Sequence, residues 1–126
     1  MNREGKKLVL LAEDHVDTRS MLKFMLERCG YGIIEAYNGD EAISQALEQH
    51  PDLILMDIAM PGLDGIQATS EIRKIQEISE IPIVGITAQT DEYIEDALDA
   101  GYNQIIRKPI DWDALEPLLT NYLGAR

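Results

Sequence analysis

The sequence predicts an α/β fold in which a parallel sheet is covered by helices on both faces, and three observations carry that prediction. Five short apolar runs alternate strictly with five helix-period segments along the 126 residues. The first, third and fourth runs are apolar at every position, as strands shielded on both faces require. Four runs end in polar or charged residues: Leu8–Ala12 in Glu13-Asp14, Leu53–Met56 in Asp57, Ile83–Ile86 in Thr87, and Ile105-Ile106 in Arg107-Lys108-Pro109. In a parallel sheet such ends meet on one rim.

Each element has its own signal. Leu8 to Ala12 reads as the first strand. Asp17 can cap a helix that turns Met21, Leu22, Met25, Leu26 and Cys29 inward, with Gly30 as its stop. Ile33 to Tyr37 reads as the second strand. Asn38, with Glu41 three residues on, resembles a capping box for a helix with Ala42, Ile43, Ala46 and Leu47 inward, ended by His50-Pro51. Leu53 to Asp57 is the third strand, and a helix from about Gly65 carries Ile66, Thr69, Ile72 and Ile75. Pro82 to Ile86 is the fourth strand. Its helix is capped near Thr90 or Asp91, buries Ile94, Ala97 and Leu98, and ends at Gly101. Gln104 to Arg107 is the fifth strand. The last helix starts after Asp111 and carries Leu115, Leu118, Leu119, Tyr122 and Leu123, with Pro117 in its early turns favouring a late start or a bend.

Strand composition also predicts the order. The second strand is interrupted by Glu35, and the fifth is short and half polar, so these two suit the edges. With right-handed crossovers the order becomes 2-1-3-4-5, a flavodoxin-like doubly wound (βα)5 three-layer sandwich. Its ligand crevice lies at the carboxyl ends of strands one and three, where Asp14 and Asp57 would face each other.

Composition narrows the function. Eleven basic against 23 acidic residues give a formal charge of −12, which repels phosphate backbones and argues against direct nucleic-acid binding. It favours basic partner faces and divalent cations. The single Cys29 reads as a small buried hydrophobe of a reducing compartment rather than a redox group. No apolar run approaches the ~20 residues that span a membrane, and the start lacks a signal-peptide core. The expectation is a cytoplasmic protein without a membrane segment.

Glu13, Asp14 and Asp57 converging on one crevice repel one another and call for a hard cation such as Mg²⁺. Lys108 brings a compact mobile charge and Thr87 a hydroxyl to the same rim. A metal, an ammonium, a hydroxyl and a free carboxylate are the parts of phosphoryl transfer, in which a protein positions groups and neutralises charge. Asp57 would be the nucleophile. Taken singly, the acids read as solvated loop residues, Asp57 and Thr87 as caps, and Lys108 as a surface charge. Four such coincidences at four strand ends make the weaker reading. His15 reads as a loop residue, His50 as a helix-end residue favouring the macrodipole when protonated, and Trp112 as packing near the last helix.

Glu13-Asp14, Met56-Asp57-Ile58-Ala59-Met60-Pro61-Gly62-Leu63-Asp64-Gly65, Pro82–Ala88, Ala100-Gly101 and Lys108-Pro109 resemble the receiver domains of two-component response regulators, typified by the chemotaxis response regulator. Five pieces in this order and spacing are specific, and the resemblance runs from about Lys7 to Leu123. It implies one receiver domain over 1–126 with its core at about 7–123. It implies Asp57 as phospho-acceptor, Asp14 and Asp57 as direct metal ligands, Glu13 acting through water, and the Ala59 backbone carbonyl completing the protein's share. Thr87 would be the switch hydroxyl and Lys108 the lysine that pairs with the phosphoryl group, before a usually cis Lys-Pro bond. A histidine kinase or histidine phosphotransfer protein would supply the phosphoryl group, in a Mg²⁺-dependent reaction. A downstream protein would read the face of helix 4, strand 5 and helix 5, which includes Tyr93, Ile105 and the region near Trp112. The chain would catalyse only its own phosphorylation and dephosphorylation.

Two positions depart from the pattern: Ile105 stands where many receivers carry Tyr or Phe, and Gln104 where an acid is frequent. Without a ring at 105 the aromatic half of the usual switch is in question. No output domain fits in the remaining residues, so the chain is a stand-alone regulator or a receiver cut from a longer protein, such as a hybrid kinase. Three other classes are weaker. A phosphohydrolase using an aspartyl phosphate commonly has a second acid two residues after the nucleophile, where this chain has Ala59. A flavin module would want a phosphate-cradling loop in place of Glu13-Asp14, and a degenerate receiver used only for binding would lack some key residues.

Overall fold

The computed structural model describes residues 5–88 and 91–124, and of Asp91 and Glu92 the backbone alone. In chain order the elements are β1 (Leu8–Ala12), α1 (Val16–Arg28), β2 (Gly32–Ala36), α2 (Gly39–Gln49), β3 (Leu53–Asp57), α3 (Gly65–Lys74), a 3₁₀ turn (Gln76–Ile78), β4 (Ile83–Thr87), α4 (Asp91–Ala100), β5 (Gln104–Arg107) and α5 (Trp112–Leu123). The five strands are parallel in the order β2-β1-β3-β4-β5. This is the predicted flavodoxin-like topology, with the all-apolar strands in the centre.

The alternation of side chains along a strand splits the core in two. Leu10, Ala12, Ile54 and Met56 face Ala42 and Ala46 of α2, Ala68 and Ile72 of α3, and Ala97 of α4. Val9, Leu11, Leu53 and Leu55 face Leu22 and Leu26 of α1 and Leu115, Leu119 and Leu123 of α5. Each fully buried Leu or Ile contributes roughly 1.5–3 kcal/mol relative to exposure. A one-residue slip of β3 would exchange its two faces, so the strand ends are held in register. Leu11 pairs with Leu55 and Met56 with Gly85, which brings the ends of β1, β3 and β4 to one level.

Several local expectations are corrected. The N-cap of α1 is His15, whose side chain makes no capping bond, and Asp17 instead sits in the first turn, where its charge suits the macrodipole. Met21, Leu47 and Leu98 are solvent-exposed rather than inward. The 100° step per residue leaves the buried stripes to Leu22 and Leu26, to Ala42 and Ala46, and to Ala97. Asn38 does accept from Glu41 N–H, but the Glu41 carboxylate takes the Tyr37 N–H, one residue upstream of the box position. β2 begins at Gly32 and ends before Tyr37, and β4 takes in Thr87 and leaves out Pro82. The 3₁₀ turn, which buries Ile78, was not anticipated. α5 starts at once, capped by the Asp111 carboxylate, with Pro117 inside it. The expected cap of α4 at Thr90 lies outside the described residues. Among the described residues no helix is long and apolar enough to cross a membrane.

Candidate functional site

The site forms where β1, β3, β4 and β5 end. β1 delivers Glu13 and Asp14. The Glu13 side chain is wholly buried, its N–H donates to the Ala36 carbonyl at 3.0 Å, and one carboxylate oxygen accepts the His15 N–H at 3.0 Å. Asp14, one residue on, is exposed. β3 delivers Asp57, 4% exposed. Its Oδ1 accepts the Ala59 N–H at 3.1 Å and its Oδ2 the Lys108 ammonium at 2.8 Å. Carboxylate oxygens of Glu13, Asp14 and Asp57 all lie within 4.8 Å of one another.

Thr87, wholly buried at the end of β4, offers its backbone carbonyl to the Lys108 N–H at 2.7 Å, which sets where the lysine leaves β5. The Lys108-Pro109 bond is cis, as the resemblance implies. Lys108 Nζ also stands 3.2 Å from Glu13 Oε1. That contact is an ion pair without hydrogen-bond geometry, and Glu13 Oε1 is left buried with no hydrogen bond among the described residues. The structure thus brings Glu13, Asp14, Asp57 and Lys108 together, sets Thr87 against the lysine's backbone, and leaves Ala59 exposed two residues beyond Asp57.

The electrostatics follow from this packing. Burial, then the Asp57 charge, hold the Glu13 carboxyl above its usual 4.5. Burial works against the Lys108 charge. The hydrogen bond to Asp57 and the charges of Asp57 and Glu13 outweigh it, so its pKa is raised above the usual lysine value. Three carboxylates against one ammonium leave a local excess of negative charge. A buried, unbonded Glu13 oxygen beside two further carboxylates is a donor set that fits a hard divalent cation.

Residues with no motif of their own support this arrangement. Arg19 of α1 donates to the Glu13 carbonyl at 2.8 Å, pairs with Glu35 at 3.2 Å and lies over the Tyr37 ring, fixing the Glu13-Asp14 turn. Arg73 of α3 donates to the carbonyls of Ser79, Ile81 and Gly101 and to the Asn103 side chain. Asp64 and Gln67 form a reciprocal capping box that starts α3 directly after the site loop. Only this last device had a local signal in the sequence, an Asp three residues before a Gln. Beside Lys108, Pro109 and Ile110 a groove of about 290 Å³ opens against Asp17, Thr18 and Met21.

The family model for the response regulator receiver domain matches residues 9–120. The transcriptional regulatory protein ResD of Bacillus subtilis is 40% identical over 110 residues, 86% of this chain and 45% of that protein. The sensor protein EvgS of Escherichia coli is 37% identical over 117 residues, 91% of this chain and 10% of that protein. The chain therefore spans less than half the length of either relative. Among solved structures, the receiver domain of the sensor histidine kinase PA1611 from Pseudomonas aeruginosa, with magnesium in its active-site cleft, superposes with a TM-score of 0.89 at 33% identity, covering 96% of this chain and all of that one. The Saccharomyces cerevisiae receiver of Ssk1, crystallised with the phosphotransfer protein Ypd1, gives 0.85 at 30% identity, covering 93% and 88%. This chain belongs to the response regulator receiver domain family, the receiving module of two-component phosphorelays.

Proposed function

We propose that the chain is a single receiver, with its core at about 7–123, that accepts a phosphoryl group from a phosphohistidine onto Asp57 and thereby changes its affinity for a partner. The observation that carries this reading is the setting of Asp57. One oxygen is held by the Ala59 N–H and the other by Lys108, among two more carboxylates. In the transfer an Asp57 oxygen attacks phosphorus, the phosphorus–nitrogen bond breaks, and its electron pair returns to the donor imidazole. Asp14, Asp57 and the Ala59 carbonyl, with Glu13 acting through water, would hold Mg²⁺ or another divalent cation, which when bound would supply positive charge beside the phosphoryl oxygens. Lys108 neutralises a further oxygen, and Thr87 offers its hydroxyl to the phosphorylated state. The chain catalyses no reaction besides its own phosphorylation and dephosphorylation. A histidine kinase or histidine phosphotransfer protein approaches over the groove beside Lys108, and the face of α4, β5 and α5 carries the output. Incubation with acetyl phosphate and Mg²⁺, followed by intact mass, tests the reading: one phosphoryl group is expected, and an unchanged mass in Mg²⁺ overturns it.

Mg²⁺ should raise the melting temperature. A ligand specific to the folded state, at 100 times its dissociation constant, adds about 2.7 kcal/mol. Asp14→Ala removes most of that gain. Without metal, the stability that depends on the raised Glu13 pKa is complete below 4.5 and is lost as pH climbs through the folded-state value. The Mg²⁺ increment therefore grows with pH over the same window, since protons compete with the cation. Equal melting curves in Mg²⁺ and EDTA at neutral pH would sink the metal assignment.

The signal leaves through the end of β4. Ile105 packs against Gly85, where an added methyl would come 2.7 Å from the Ile105 Cδ1. This β-branched side chain has no ring to rotate. Coupling then runs through the loop after Thr87 and the Lys108 contact. Thr87→Ala should weaken the phosphorylation-dependent amide shifts across residues 88–110, and Ile105→Tyr should alter partner affinity while leaving the phosphorylation rate nearly unchanged. Intact shifts in Thr87→Ala would exclude this route.

A further inference from the structure

Tyr102 is a buried residue outside the carboxylate and lysine cluster, and it touches the main chain of Asp57. It lies between α4 and β5, on the helix-covered face opposite α1 and α5. Its hydroxyl donates to the backbone carbonyl of Asp57 at 3.3 Å. Burial pushes the phenol pKa far above its usual value, so the hydroxyl stays a donor at every working pH. The ring occupies a slot that exists because two neighbours lack side chains. A methyl on Gly65 would collide with both the Tyr102 hydroxyl and the Asp57 carbonyl oxygen, and one on Gly85 would come 2.8 Å from the ring.

The ring cannot easily retreat from that slot. Arg73 holds the Gly101 carbonyl at 2.8 Å and the Asn103 side chain at 2.9 Å, one residue to either side of Tyr102. Asn103 in turn exchanges two bonds with Ile83 at the start of β4, each 2.7 Å. The wholly buried Thr69 hydroxyl lies beside the phenol.

The consequence concerns the peptide unit that follows Asp57. Its N–H, on Ile58, donates to the Ile86 carbonyl at 2.9 Å, and its carbonyl receives the Tyr102 hydroxyl. The plane is therefore held at both ends, by β4 and by Tyr102. Its tilt sets where Ala59 stands, and the Ala59 N–H is the group that orients Asp57 Oδ1. We propose that Tyr102 is a positioning residue for phosphoryl transfer, its hydroxyl holding the Asp57–Ile58 peptide so that the acceptor carboxylate and the Ala59 amide stay aligned.

This inference rests on Asp57 being the acceptor. The 3.3 Å contact is long for a hydroxyl–carbonyl bond, so the effect is moderate: a tenfold rate change is about 1.4 kcal/mol of barrier. The test compares initial phosphorylation rates by acetyl phosphate in saturating Mg²⁺ for the parent chain, Tyr102→Phe, Tyr31→Phe, and the chain with 4-aminophenylalanine placed at Tyr102. Tyr31 is the control because its hydroxyl is also buried but unbonded among the described residues.

Tyr102→Phe is expected to slow the reaction by threefold to tenfold with an unchanged Mg²⁺ dissociation constant. The Tyr31→Phe rate should equal the parent's, and the amino variant, which restores a donor at the same place, should recover the parent rate. A rate for Tyr102→Phe less than threefold below the parent's overturns the proposal, as does an amino variant as slow as the Phe variant. If Tyr102→Phe fails to fold, the amino variant decides on its own, a parental rate supporting the proposal and a slow one overturning it. A parent chain that takes no phosphoryl group at all would instead remove the acceptor assignment.

Discussion

Asp57→Asn should take up no phosphoryl group from acetyl phosphate, and its fold should survive. Asparagine keeps the shape of the side chain and an acceptor for Lys108 but removes the nucleophilic oxygen. The charge balance explains why stability changes little. At an effective dielectric near 20, the Lys108 attraction at 2.8 Å is about 6 kcal/mol. Repulsion from Glu13 and Asp14, with oxygens no farther than 4.8 Å, is at least about 3.5 kcal/mol each on the same scale. Exposure of Asp14 and partial exposure of Lys108 screen both sides. One attraction and two repulsions of similar total size nearly cancel, so the melting temperature without metal should stay close to the parent's. The Mg²⁺ increment should shrink, because one of three carboxylates is lost. In the parent, the label should be released by hydroxylamine, as an acyl phosphate is and a phosphoserine is not. Label that persists in Asp57→Asn would place the acceptor elsewhere.

The topology was legible in the sequence because strand burial writes itself into composition. Runs apolar on both faces, such as Leu53–Met56, belong in the centre of a covered sheet, and a strand broken by Glu35 belongs at its edge. The rim was legible for a related reason: a carboxylate directly after a buried strand has few structural uses. Helix faces were less so. Met21, Leu47 and Leu98 are apolar and fall near the buried stripes, yet neighbours one step away occupy the core and leave them in solvent. The Asp17 cap failed because Asp, Ser, Thr and Asn signal a cap only where the backbone turns, and here it turns at His15. Arg19, Arg73 and Tyr102 were invisible for a different reason. Most of their partners are backbone carbonyls, present at every residue, so no residue-type pattern marks which carbonyl an arginine or a phenol will reach. Arg73 and Gly101 are 28 residues apart in the chain.

Gly65→Ala should be the most disruptive single-methyl change in the site's frame. Gly65 opens α3, and in a helix Ala is ordinarily better than Gly by up to about 1 kcal/mol. Here the sign reverses. The Gly65 N–H donates to the Ile58 carbonyl at 2.9 Å, which draws the start of the helix onto the end of β3. A methyl at this position would then overlap the Asp57 carbonyl oxygen and the Tyr102 hydroxyl. One of those neighbours is backbone in the central strand, and the other is a ring held by the Arg73 and Asn103 clamps, so neither yields as a flexible side-chain tip would. Overpacking of this kind costs about 1–3 kcal/mol, and a backbone neighbour places Gly65→Ala at the upper end. For a domain of this size that corresponds to a fall in melting temperature of roughly 10 °C. The same displacement moves the Asp57–Ile58 peptide, so the phosphorylation rate should fall further than the population of unfolded protein accounts for. Gly62→Ala is the matched comparison: Gly62 has a φ of +70° but nothing within 4 Å of an added methyl, so only backbone strain is at work there. Thermal melts and initial rates of both variants in Mg²⁺ separate the two causes. If Gly65→Ala melts like the parent and is phosphorylated at the parent rate, the close approach of α3 to Asp57 is not what holds the acceptor in place.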